Sequence, residues 1–219
     1  MIQIEVELTG TSDSVLLGQI MRLIGDESVG FQEIAAEVTR DPALAAEVMR
    51  MANSNYYGLA GAVGTLGFAC SILGSIGLKT LVLTEMGRRG NGIPSDLLVE
   101  CTAVSARTAE LAVALGVDPQ IAVAAGLVIN LGKMLMFQQD PLGYSEIRAR
   151  SKDEQPELEV ARYGETWRNI TVRALMRWSF PADFIEAILE GSQSPLGRVL
   201  SMALDADEPT VESQGGAKS

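Results

Sequence analysis

Between Ile121 and Phe137 this 219-residue chain is almost wholly apolar, interrupted by Gly126, Asn130, Gly132 and Lys133. A helix that is apolar on every face must be enclosed by other elements. The rest of the chain therefore has to supply helices with one apolar face each. It does. Apolar residues at helical spacing mark Ser14 to Ile24 and Phe31 to Thr39. Asp41-Pro42 opens a further helix, because an Asp side chain caps free N–H groups and Pro needs no partner in a first turn. Asp118-Pro119 repeats that signal just before the apolar run, which reads as one central helix. Thr65 caps a helix through Leu73, which Gly74 breaks, and Gly77 to Met86 continues as another. Leu97 to Leu115 is stopped by Gly116. Leu142 to Ser151, Pro156 to Tyr163, Thr166 to Ser179, Ala182 to Glu190 and Leu196 to Leu204 complete an all-α set.

The ends read differently. Ile2 to Leu8 alternates apolar and polar residues, a strand signal with no second strand to pair with. The first ten residues are therefore expected to form an extended arm, with a strand shared with another chain as the alternative. Residues 11–204 form the helical domain, and a boundary between two helical lobes, if present, falls near 90–95 at Asn91-Gly92-Ile93-Pro94. Residues 205–219 lose periodicity and read as a disordered acidic tail. No apolar run reaches the roughly 18 residues of a membrane span, and no signal peptide is visible. The net charge of −11 disfavours nucleic acid and anionic membranes. Cys70 and Cys101 sit in apolar helical settings and read as buried thiols of a reducing, cytoplasmic compartment.

Four segments, in order, carry a family resemblance: Asp41-Pro42-Ala43-Leu44 with Met49 to Ser54; Ala69 to Gly74 with Leu78 to Leu83; Ala125 to Lys133; and Ala174 to Pro181. From about Val15 to Leu204 the chain resembles the HDOD family, the HD-related output domains. The resemblance implies a compact multi-helix, HD-like fold and a regulatory role in bacterial signalling, often beside cyclic-nucleotide or two-component parts. HD-type hydrolases hold divalent metal on His and Asp ligands to activate water. Here the His-Asp pair position reads Ile129-Asn130, and an earlier His position falls at Val104. A later region, where many members carry His, reads Glu190-Gly191-Ser192-Gln193, and the chain has no His at all. The resemblance thus implies fold and signalling context without the metal centre, as in a pseudoenzyme.

The expectation is a non-catalytic module that needs no metal or cofactor and works by binding other proteins, as a monomer or homodimer. A sensor of a small molecule or cyclic nucleotide is the alternative, using a vestigial pocket of Val104, Ile129, Asn130 and Lys133. A residual metal-dependent phosphodiesterase ranks third. The candidate interaction surface comprises Asn53, Ser54, Tyr57, Arg173 and Arg177, the last two one helical turn apart. Structural readings stand beside these: Asn53 and Ser54 as the end of a helix, Asn130 bonded to backbone, and Lys133 with its stem on the surface and its charge in water. Arg88-Arg89 and Arg148, Arg150, Lys152 are further small basic spots, each either an anion site or a solvated surface. Gly58 to Gly64 is a candidate switch loop, Trp178 reads as core and Trp167 as a candidate contact residue.

Overall fold

The computed structural model describes residues 2–5, 14–87, 93–189 and 192–205. Its helices are α1 (Ser14–Gly25), α2 (Phe31–Val38), α3 (Pro42–Ala52), α4 (Leu66–Gly87), α5 (Ser95–Ala114) and α6 (Pro119–Val128). They continue as α7 (Leu131–Gln139), α8 (Pro141–Arg148), α9 (Gln155–Tyr163), α10 (Trp167–Arg177), α11 (Ala182–Ile188) and α12 (Pro195–Asp205). Among the described residues there is no strand.

The capping chemistry is local and visible. Asp41 accepts hydrogen bonds from the N–H groups of Ala43 and Leu44, both at 3.0 Å, with Pro42 in the first turn. Asp118 does the same for Gln120 at 2.7 Å. A third pair, Asp140-Pro141, opens α8 one residue before the expected start, with Asp140 accepting from Gly143 at 3.2 Å. Within α4, Gly74 takes φ 62° and ψ 177°, so the chain turns sharply there and two helical segments meet at an angle. Only glycine visits that region cheaply.

Packing follows from the apolar faces. α1, α2 and α3 each rest on α4, and α3 also touches α5, α6 and α7. The most extensively packed pair is α5 and α6, and α10 and α12 close over α7 and α5. Ile20, Ile34, Leu44, Leu97, Leu127, Ile129 and Ile170 are among the fully buried side chains. Each such burial contributes about 2 kcal/mol. The two cysteines are free and buried.

The central apolar run is not one helix. It is interrupted at Ile129-Asn130, where Asn130 adopts φ −87° and ψ 12° and α7 begins afresh. Taken end to end, Pro119–Gln139 has the length and hydropathy of a membrane span, longer than the sequence run suggested. In the fold, 72% of its most apolar window is buried inside the protein, as expected of a core element.

Residues 2–5 form an extended arm with no strand partner among the described residues. The Ile2 N–H donates to the Arg162 carbonyl at 2.9 Å. The Gln139 side chain grips Glu5 twice, accepting from its N–H at 2.8 Å and donating to its carbonyl at 2.6 Å. Arg173 Nη2 donates to the Ile4 carbonyl at 2.8 Å, and the Ile4 side chain is buried. The remainder of the expected strand, the Asn91-Gly92 turn, Arg88-Arg89 and the tail from residue 206 lie outside the described residues; Asp205 itself ends α12.

Candidate functional site

The break between α6 and α7 is tied to α10 by one buried hydroxyl. Thr171 Oγ1, on α10, accepts from the Gly132 N–H at 2.9 Å. It lies 3.0 Å from the carbonyls of both Ile129 and Trp167, which share its single proton. This clamp binds the two ends of the break to α10. It is possible because Gly132 has no side chain: a Cβ there would overlap the Trp167 carbonyl oxygen.

Val104, Ile129 and Asn130 have no exposed surface. Neither atom of the Asn130 amide reaches a nitrogen or oxygen partner among the described residues, and its one polar neighbour is the weakly bonding Cys101 thiol. Cys101 is equally buried. Burial above all, and then the charge of Glu100, push its thiol up to about 12, against the pull of Lys133 and Asn130. Two hydrocarbon side chains, a neutral amide and a protonated thiol do not suit a hard divalent cation, which takes carboxylate oxygens, nor zinc, which takes thiolate and imidazole. Among the described residues no group of three or more His, Cys, Asp and Glu could hold a metal ion. Of the later region, Glu190 and Gly191 lie outside the described residues, and the Ser192 hydroxyl pairs with that of Ser194 at 3.0 Å.

An amide left with only a thiol for company in a dry core is costly, so Asn130→Leu is expected to raise stability by about 1 kcal/mol. Urea denaturation with an unchanged m-value checks this. A loss of stability would show that the amide has bonding partners after all.

Lys133 points the other way. Its Nζ lies 2.5 Å from Glu100 Oε1 and 4.7 Å from the centre of the Trp167 ring. Its charge is thus paired at the rim of a cavity, not free in water. The cavity, about 500 Å³, opens between α5, α7, α8 and α10 and reaches the last residues of α12. Glu100 is shared with Arg148, whose Nη2 is 3.7 Å from Glu100 Oε2 and 2.8 Å from Asp96 Oδ2. Arg168 reaches over Trp167 at 4.9 Å and donates to the Ile188 carbonyl at 3.1 Å. Arg150 and Lys152 complete the basic wall. Of the four pocket residues expected from the sequence, only Lys133 lines this space.

Behind the cavity lies a buried carboxylate, Glu159, with no exposed surface. The Tyr144 hydroxyl donates to Oε1 at 3.3 Å and the Trp167 N–H to Oε2 at 2.9 Å. Burial raises its pKa above the ordinary 4.5, and these two donors and Lys133 only partly oppose it. The unfolded chain therefore ionises first as pH rises. Whatever stability Glu159 contributes is present below pH 4.5 and is lost as pH climbs through the raised folded value. Glu159→Gln keeps the Trp167 N–H bond through its carbonyl and reverses the Tyr144 contact, its amide donating to the phenol oxygen. It is expected to be more stable than the parent by about 1 kcal/mol at pH 7, with the gap closing below pH 4.5. Thermal unfolding across pH 4 to roughly 8 measures it, and a gap that does not change with pH would refute the assignment.

The five expected interaction residues do not form one surface. Asn53 is fully buried: its Nδ2 donates to the carbonyls of Met49 and Val63, at 3.0 and 2.9 Å, and its Oδ1 accepts from the Val63 N–H at 3.1 Å. It offers nothing to a partner. Ser54 is half-buried, and Tyr57, in a single 3-10 turn, packs near Gly77 of α4. Arg173 is tied to Ile4 and, at 2.7 Å, to Glu165. Arg177 is exposed. The Gly61 N–H donates to the Ser179 carbonyl at 2.9 Å, which seats the Gly58–Gly64 loop against the end of α10. Trp178 is core, and Trp167 is the aromatic wall of the cavity. Glu100 and Arg168 escaped notice in the sequence, since nothing local marks residues that meet only across four helices.

The sequence pattern of the HDOD domain matches residues 12–194. Among solved structures, the fold resembles the MmoQ response regulator of Methylococcus capsulatus str. Bath, with a TM-score of 0.76 and 23% identity over 92% of this chain and 89% of that one. A virulence factor of Campylobacter jejuni, cj0248, superposes with a TM-score of 0.73 and 16% identity, covering 90% of this chain and 77% of that one. At these identities the likeness is one of fold. A search of curated proteins found no match.

Proposed function

The chain belongs to the HDOD family, and from that premise we propose that it is a non-catalytic, cytoplasmic module of bacterial signalling that acts by binding other proteins. One observation carries the reading: the positions where HD-type hydrolases keep metal ligands hold Val104, Ile129 and Asn130, sealed in the core with no exposed surface. A reaction centre needs access for substrate and donors for the cation, and these residues provide neither. The MmoQ protein of similar fold is described as a response regulator, which accords with a signalling role.

Crosslinking in cells tests this. A photoreactive group placed at exposed Arg177 or Tyr56 is expected to capture a specific protein. Capture of none, with nucleotides present and absent, would overturn the reading. Purified protein given Mn²⁺ and cyclic dinucleotides is expected to show no turnover; turnover abolished by Asn130→Ala would restore the hydrolase reading.

A second reading, a small-molecule sensor, is favoured by the cavity beside Lys133. A ligand of the native state raises the unfolding temperature by mass action. Thermal shift with metabolite panels separates the two readings.

A further inference from the structure

We infer that the cavity beside Lys133 binds a small organic phosphate, with its phosphate on Arg150 and Lys152 and its carbon framework against Trp167, Pro156 and Leu204. This rests on the sensor reading of the cavity, for which it names the ligand class, and is independent of the protein-binding role.

Charge is the first argument. The chain carries −11 overall, yet five cations line this one cavity, Lys133, Arg148, Arg150, Lys152 and Arg168, against the carboxylates of Glu100 and Asp205. Three of the five are already engaged. Lys133 and Arg148 are balanced by Glu100 and Asp96, and Arg168 is held by the Ile188 carbonyl and the Trp167 ring. Arg150 and Lys152 make no ion pair among the described residues, and both are exposed. Asp153 and Glu154 follow on the same turn but do not line the cavity. Two unbalanced cations two positions apart, facing one concavity, suit a dianion that can bridge them.

Rigidity is the second. The turn that carries both cations is pinned from inside. Gln155 Nε2 donates to the carbonyls of Arg148 and Arg150, at 3.3 and 3.0 Å. The Arg150 N–H bonds the Ile147 carbonyl at 3.0 Å. A charge pair on a fixed turn loses less entropy on binding than one on a loose loop. Size and lining are the third. About 500 Å³ matches a nucleotide-sized molecule. Trp167, Pro156 and Leu204 add apolar surface that inorganic phosphate would leave unused.

Titration calorimetry on the full chain decides the matter. The probes are inorganic pyrophosphate and a panel of purine nucleoside mono-, di- and triphosphates and cyclic nucleotides. At least one nucleotide is expected to bind, to change the tryptophan fluorescence, and to bind at least tenfold more tightly than pyrophosphate. The double variant Arg150→Ala with Lys152→Ala is expected to weaken it at least tenfold while leaving the unfolding temperature of the free protein unchanged. Trp167→Leu is expected to bring the affinity of the nucleotide down to that of pyrophosphate. Binding by no probe would overturn the inference. So would equal affinity in the double variant, or pyrophosphate binding as tightly as every nucleotide. Tight binding of an acidic peptide that nucleotides fail to displace would likewise overturn it, assigning the basic wall to a protein partner.

Discussion

Replacing Gly132 by Ala is expected to lower the stability of the protein by about 3 kcal/mol, the upper end of what overpacking usually costs. The added methyl would overlap the Trp167 carbonyl oxygen and come within 2.9 Å of Thr171 Oγ1. Neither is the free end of a flexible side chain. One belongs to the backbone of α10, and the other is held by three partners. Helix α10 must therefore move away from α7, which also breaks the clamp across the Ile129-Asn130 junction. For a chain of this size the loss corresponds to a fall in Tm of roughly 6–12 °C. Gly18→Ala is the control, because a Cβ on Gly18 meets nothing within 4 Å. There the substitution is expected to stabilise α1 by about 0.5–1 kcal/mol. A Gly132→Ala protein as stable as the parent would show that α7 and α10 are not in close contact.

Asn53→Ala is expected to cost a similar amount, about 3 kcal/mol. The truncation removes three hydrogen bonds at once and leaves the Val63 N–H and carbonyl without their partner. Val63 has no exposed surface, so water does not take over. The effect should have a local signature. The connection from Ser54 to Gly64 is held to α3 by this side chain, and its cleavage by a protease should speed up at temperatures where the helices are still intact. A loss below about 1 kcal/mol would mean that the loop is retained by its other contacts.

Much of the architecture could be read from residues a few positions apart. The Asp-Pro starts of α3 and α6, the Gly74 break and the end of α5 depend on caps and backbone preferences that act within one turn. The interruption of the central apolar run could not be read this way. Its two sides are held by Thr171, some forty residues further along, through hydrogen bonds that no spacing announces. The site shows the same division. That Val104, Ile129 and Asn130 lack the chemistry of a metal centre was plain from residue type. That they are sealed, and that the open space lies instead beside Lys133, follows from how α5, α7, α8 and α10 meet. Asn53, open in the sequence to a place on a surface or at a helix end, takes the second: its amide bonds Met49 in the last turn of α3 and Val63 in the turn that follows.

The arm at residues 2–5 is fastened by Gln139, Arg162 and Arg173, with no strand beside it among the described residues. Such fastenings undo singly, whereas a ladder resists as a unit. Opening of the arm would expose the Ile4 side chain and break no bond within a helix.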